Sequence, residues 1–235
     1  MSQFVFPPQQ VPSVPVVGRD AHFPVHRIYC VGRNFAEHAR EMGAAVERGT
    51  PVLFCKPADA VVPSGGRQPY PSATSELHHE VELVVALGRD ADGVIERAVA
   101  ADHVFGHAVG LDLTRRDLQA AAKARGLPWD AAKGFDRSAP ISAIVPTSTQ
   151  VPAPDALLWL EVNGQRRQAA PLSDMIFSVA DILHELSLRF ELRAGDLVFM
   201  GTPAGVGALQ PGDHWEAGID AFAHLSGHIS APQAG

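Results

Sequence analysis

The sequence predicts a β-rich α+β domain, on three observations. Its 21 glycines and 19 prolines cut a chain of 235 residues into short apolar runs, a texture of many turns that excludes long helical bundles. Most of those runs are rich in Val, Ile, Leu and Phe and have the length of strands. Only a few stretches carry the three- and four-residue spacing of an amphipathic helix.

In chain order, the first expected strand is Ile28–Val31, followed by Val52–Cys55. Val81–Leu87 comes next, and with Glu82 as its only polar residue it reads as a strand buried on both faces. Val104–Leu113, Ile141–Val145, Leu157–Val162, Leu197–Met200 and Phe222–Ile229 complete the strand set. Helices are expected at Phe35–Met42, at Arg116–Ala124 behind a Thr114-x-x-Asp117 capping signal, and at Val179–Phe190 behind Ser178-x-x-Asp181. In the last, Val179, Ile182, Leu183 and Leu186 share one face, with Asp181 and Glu185 on the other. Residues 1–26, with Pro7, Pro8, Pro12, Pro15 and Pro24, read as an extension packed on the surface, and 27–235 as one catalytic domain without internal repeats.

At 46% hydrophobic residues the chain can bury a full core. Its charge of -7 and pI near 5.8 give no basic field for nucleic acid or anionic lipid. Cys30 and Cys55 form no CxxC and lack zinc-ligand spacing, so they are expected to be core thiols in a reducing compartment. The proline-rich start is unlike a secretory signal, and no segment has the length of a membrane span. The expectation is a cytoplasmic protein with no nucleic-acid or membrane partner.

Chemistry concentrates at His78-His79-Glu80-Val81-Glu82, followed by Asp112 in Gly110-Leu111-Asp112-Leu113-Thr114. Positions i and i+2 of a strand point to one face, so Glu80 and Glu82 project together. Side-by-side carboxylates repel and need protons, basic partners or a metal, and oxygen-only ligation favours Mg²⁺, Mn²⁺ or Ca²⁺ over zinc. A Glu-x-Glu pair by itself more often marks a solvated edge strand. The apolar run through Leu87 argues against that here, because bare charge is costly in a strand buried on both faces.

His38 and Glu41 lie three apart on the first helix, so their side chains share a face. A carboxylate beside imidazole fixes one tautomer and raises its basicity, as a water-activating base requires. An exposed His/Glu pair has the same spacing. Lys133 sits among small residues in Ala131-Ala132-Lys133-Gly134-Phe135-Asp136, where it could complement an acidic site or simply occupy a surface loop. Gly201-Thr202-Pro203-Ala204-Gly205-Val206-Gly207 offers backbone amides and the Thr202 hydroxyl to a carboxylate, or is a plain glycine turn. Arg116, Asp117 and Gln119 fall where a strand end feeds a helix, and they could equally cap or solvate it. No Gly-x-Ser-x-Gly elbow, His-Glu-x-x-His helix, phosphate loop or GxGxxG occurs.

Taken in order, these pieces resemble the fumarylacetoacetate hydrolase family, and most closely its small acylpyruvase and fumarylpyruvate hydrolase members. The likeness runs from Ile28-Tyr29-Cys30-Val31-Gly32-Arg33-Asn34 through Phe54-Cys55-Lys56-Pro57, the acidic motif, Leu111–Asp117, Ala132–Asp136 and Met175-Ile176-Phe177 to the glycine loop. The extension, with its Val-Pro pairs, looks like the fumarylpyruvate hydrolase branch. Phe35 is a departure, standing where the family often has Tyr.

The resemblance implies a mixed β-sheet roll with few short helices, usually a homodimer. It implies Glu80, Glu82 and Asp112 as ligands of Mg²⁺ or Mn²⁺, with Ca²⁺ a third candidate. His38 with Glu41 would be a dyad on a lid helix, Lys133 the active-site lysine, and Arg33, Arg116, Gln119 and Thr202 substrate-contacting or site-shaping residues. The implied reaction is hydrolysis of the carbon–carbon bond of a 2,4-dioxo acid such as fumarylpyruvate, as in gentisate catabolism. Arg33, Lys56 and Arg137 are the cations that could meet that substrate's distal carboxylate. Decarboxylation of oxaloacetate, or decarboxylation and isomerisation of a related dioxo acid, would use the same chelation. A metal-binding scaffold without turnover would need only the carboxylates.

Overall fold

Strand Val81–Leu87 is buried along its whole length and separates two cores. Its odd positions Val81, Leu83, Val85 and Leu87 enter the larger one, with Leu158, Leu160, Ile182, Leu186 and Trp215. Its even positions Val84 and Ala86 enter the smaller one, with Ile28, Cys30, Ala108 and Phe199. This is the physical content of the near-continuous apolar run, since each alternate side chain meets a packed layer.

The computed structural model describes residues 3–41 and 49–232. Val81–Leu87 lies inside an eight-stranded mixed sheet ordered Val52–Lys56, Ile28–Gly32, Leu197–Phe199, Val81–Leu87, Val104–Leu111, Ala139–Ile141, Val61–Pro63, with Val145–Pro146 paired to Val104–Leu111 off that path. Leu197–Phe199 runs parallel to Ile28–Gly32 and antiparallel to Val81–Leu87. A five-stranded sheet, Gln165–Pro171, Leu157–Val162, His214–Ile219, Ala223–Ser230 and Arg67–Pro69, covers the larger core. A three-stranded sheet joins Thr114–Arg115, Leu77–His79 and Gly207–Leu209. The expected β-rich α+β class with few helices and a mixed sheet is the one observed.

Val81–Leu87 and Leu157–Val162 fall where the sequence places them. The expected strand Ile141–Val145 divides into Ala139–Ile141 and Val145–Pro146, both paired to Val104–Leu111. Helix Arg116–Ala124 is as expected, but its capping signal is not used. Thr114 is instead a strand residue whose hydroxyl faces Lys133, and Asp117 accepts from Thr74 and Ser75. Ser178 and Asp181 do form the reciprocal cap, at the start of a helix that ends at Ser187, short of the expected Phe190. The first helix spans Ala36–Glu41, and the expected terminal Met42 lies outside the described residues.

The proline-rich lead pairs Ser13–Pro15 with His22–Pro24 and places Val14, Val16, Phe23 and Val25 in the smaller core. Cys30 is buried, as expected. Cys55 is exposed, contrary to expectation, because Lys56 takes the inward position of its strand and Cys55 points the other way. Among the described residues no helix is long and apolar enough to cross a membrane.

Candidate active site

The even face of Val81–Leu87 ends in charge where the smaller core stops. Glu82 is opposite Gly110, and the ladder continues one step through Asp112 N–H donating to Glu80 O at 2.8 Å, so Asp112 stands beside Glu80. One carboxylate oxygen from each of Glu80, Glu82 and Asp112 lies within 4.8 Å of the others, and all three residues are buried. Three buried acids at the ends of adjoining strands form an all-oxygen cluster of the kind hard divalent cations take.

Cations brace the cluster from several sides. Lys133, in the short helix Asp130–Lys133, is 2% exposed and donates to Glu80 at 2.8 Å, to Asp112, and to the Thr114 hydroxyl at 2.7 Å. All three of its N–H bonds are used, so it organises the acids. Arg116 holds the other Glu80 oxygen and donates to Gln119 Oε1 at 2.6 Å. Lys56 Nζ stands 2.8 Å from Asp112 Oδ1, as an ion pair without hydrogen-bond alignment, while it donates to Leu113 O and Lys133 O. Lys56 therefore lies beneath Asp112 and is unavailable to a substrate. Arg137 is absent from the cavity lining, and its carbonyl accepts from Gln68.

These placements divide the three acids electrostatically. Burial pushes the Glu80 carboxyl up, but Lys133 and Arg116 override it and hold the group well below the usual carboxylate range. Lys133 is held above the ordinary lysine value, because Asp112 and Glu80 outweigh its own desolvation. Glu82 has no such partner. Burial, Asp112 and Glu80 raise its pKa well above normal, opposed by Lys133 and by the Gly201 N–H that donates to it at 2.8 Å. A divalent cation supplies the compensation that Glu82 lacks, so the donor set fits such an ion.

Gly201 is required where it stands. At φ 91° a Cβ would meet Asn34 Cβ at 2.7 Å and Val31 O at 3.0 Å. Asn34 joins the same region, donating to Met200 O at 2.8 Å and accepting from Phe177 N–H at 2.7 Å. Thr202 is buried in the cavity wall, and its hydroxyl accepts from Gln168 Nε2 at 2.8 Å, which leaves its proton to donate. Gln168 also accepts from Val81 N–H at 3.1 Å and pairs with His79 Nδ1 at 2.9 Å. It was not singled out in the sequence. It is the buried position between exposed neighbours in a polar strand, a weak signal.

His38 forms another part of the wall, with Glu41 behind it. His38 is buried and lines the same cavity as the acidic trio, with Nδ1 3.3 Å from Glu41 Oε2. Burial lowers its pKa, opposed by Glu80 and Glu41, so it is neutral at pH 7. Both Glu41 oxygens also accept from Gly205 N–H at 3.2 Å, which docks the helix on the glycine loop. The cavity is lined further by Arg33, Arg116, Gln119, Lys123 and Trp129. Lys123 and Trp129 were missed in the sequence, where they look like a solvated helix residue and a turn aromatic.

The profile described as Fumarylacetoacetate (FAA) hydrolase C-terminal matches residues 27–230. The chain belongs to the fumarylacetoacetate hydrolase family. A fumarylpyruvate hydrolase of Pseudomonas aeruginosa, crystallised with Mn²⁺ and pyruvate, superimposes with a TM-score of 0.94 at 46% identity, covering 97% of this chain and 100% of that one. Among curated proteins, the mitochondrial oxaloacetate tautomerase FAHD1 of Rattus norvegicus is 50% identical over 194 residues, 82% of this chain and 86% of its own. The human FAHD1 is 45% identical over 207 residues, 88% and 92% of the two chains. As a member of this enzyme family, the chain has an acidic trio, a basic surround and His38, backed by Glu41, lining one cavity.

Proposed function

We propose that this protein hydrolyses the carbon–carbon bond of a 2,4-dioxo acid, and that its substrate is fumarylpyruvate, cleaved to fumarate and pyruvate. The observation that carries the proposal is His38, paired through Nδ1 with Glu41, lining one cavity with the acidic trio. A hydrolase needs a water-activating base there, whereas chelation alone does not. The P. aeruginosa enzyme supports the choice of substrate, because its match extends over nearly the whole chain, including most of the proline-rich lead.

Glu80, Glu82 and Asp112 would hold Mn²⁺ or Mg²⁺. A bound cation supplies Lewis acidity to the keto and carboxylate oxygens at the pyruvyl end of the substrate. Glu41, an acceptor only, keeps the His38 proton on Nδ1 and leaves Nε2 as the basic atom. His38 takes a proton from water as its oxygen adds to the distal carbonyl carbon, and the C3–C4 bond then breaks with its electron pair passing to the pyruvyl fragment as an enolate. Protonation at C3 gives pyruvate, and the acyl fragment leaves as a carboxylic acid. Thr202, its hydroxyl oxygen occupied by Gln168, donates to a substrate carboxylate. Arg116 and Gln119 shape the wall beside Glu80, and Lys133 keeps the acids together and contributes its charge. The helix Ala36–Glu41, docked through Gly205, excludes bulk water.

A second reading is favoured by the identity to FAHD1 proteins: proton transfer between the keto and enol forms of oxaloacetate. It uses the same trio and lets His38 move a proton without attacking water. Oxaloacetate decarboxylation is a third outcome of the same chelation. The test is one panel, with Mn²⁺ and fumarylpyruvate, acetylpyruvate or oxaloacetate, following loss of the dioxo ultraviolet band and the products formed. Release of fumarate and pyruvate supports the proposal; oxaloacetate tautomerisation with the dioxo acids left intact replaces it. The same reading has the enzyme acting as a cytoplasmic homodimer, which sedimentation equilibrium checks for assembly.

A further inference from the structure

Of the cations that line the active-site cavity, Lys133 is committed to Glu80 and Asp112, and Arg116 to Glu80 and Gln119. Among the described residues, Arg33 and Lys123 line the same cavity and form no ion pair. Their placement is specific. Lys123 follows Arg116 by seven positions on helix Arg116–Ala124, so it shares a face with Arg116 and lies roughly 10 Å farther along the axis, away from the acidic trio. Its ammonium lies over the Trp129 ring, 5.2 Å from the centroid, and Trp129 packs on Phe54 at 5.9 Å, both rings lining the cavity. Arg33 has φ 61°, a left-handed backbone that a non-glycine residue keeps only where its surroundings enforce it. Burial, and then the charges of Arg116 and Arg33, push the Lys123 pKa down by more than Glu80 raises it.

We infer that Lys123 and Arg33, with Trp129 seating the lysine, form a subsite for the distal carboxylate of a dicarboxylic oxo acid, one end of which chelates at Glu80, Glu82 and Asp112. The inference rests on the reading of that trio as the chelating end. It makes the cavity two-ended: the acids and their cation take the oxo-acid head, and the helix end two turns away takes the tail. A monocarboxylic substrate leaves the half-buried Lys123 and the exposed Arg33 without that anion.

The test is calorimetric binding to the Mn²⁺-loaded protein of 2-oxoadipate against 2-oxohexanoate, which share head and chain length and differ in the distal carboxylate. The wild type should prefer the diacid by about ten-fold, the size of one charge-assisted contact. Lys123→Met and, independently, Arg33→Gln should each shrink that preference while Mn²⁺ affinity is kept, and Lys123→Arg should restore it. A wild type without preference, or a preference unchanged in both Lys123→Met and Arg33→Gln, overturns the subsite. Neither probe has a 4-oxo group to cleave. A protein that prefers the diacid yet leaves fumarylpyruvate intact therefore refutes the hydrolase reading alone, and one that cleaves fumarylpyruvate without any diacid preference refutes the subsite alone.

Discussion

Glu41 receives both the His38 imidazole, at 3.3 Å, and the Gly205 N–H, at 3.2 Å, so one carboxylate holds the imidazole and fastens its helix to the glycine loop. Gly205 must be glycine for this. At φ 93° a Cβ there would lie 2.1 Å from Arg167 O.

His38→Ala should reduce turnover of the dioxo acid by about 10²–10⁴-fold, the usual worth of a general base. Mn²⁺ affinity should persist, because the acidic trio is untouched. Turnover near wild type would remove the dyad from the mechanism.

In the proposed mechanism His38 acts as a base in its neutral form, and burial lowers its pKa from the ordinary 6.5. Activity should therefore hold on acidification to below pH 6.5 before falling, and kcat/KM against pH measures that limb. A limb centred above 6.5 would contradict the assignment.

Lys56 and Asp112 are fully buried, with 0% and 1% of their side chains exposed. Lys56→Met removes one cation beneath a buried acid, a change that costs ~3 kcal/mol in comparable pairs. Urea unfolding of the metal-free protein should show a loss of that order. An unchanged midpoint would mean that Lys133 alone compensates Asp112.

His107 gives a stability test away from the site. Burial lowers its pKa to about 4, and its Nδ1 has no partner among the described residues. A folded-state pKa below the unfolded value of about 6.5 means that protonation favours unfolding. Its contribution is intact above pH 6.5 and is lost as pH falls from there to about 4, to the extent of ~3 kcal/mol. His107→Leu should flatten stability across that window. An equally steep decline in the variant would assign it to other groups.

Local spacing makes the pairing of Glu80 with Glu82 and of His38 with Glu41 legible, whereas Asp112 and Lys133 join the acids in the sequence only through the family resemblance. Glu80 and Glu82 share a face by strand period, and His38 and Glu41 by helix period. Gln168, Trp129 and Lys123 reach the site only through tertiary packing, from a polar strand, a turn and a half-solvated helix end, so no local pattern marks them. Lys56 was visible as a cation but not as one buried under Asp112, because its strand alternation is weak and Cys55 looked the more buried of the two. The strands Gln165–Pro171 and His214–Ile219 escaped for a related reason: their polar residues, all but the buried Gln168, lie on a solvent face and break the apolar run.

The most direct test of the central claim is a Mn²⁺ titration followed by paramagnetic resonance, on the wild type and on Glu82→Gln, which keeps shape and removes charge. The expected result is one tightly held Mn²⁺ per chain, with affinity lost by at least ~100-fold in the variant, more than the loss typical of an outer-sphere change. Equal Mn²⁺ affinity in the two proteins would contradict the assignment of Glu80, Glu82 and Asp112 as one cation site.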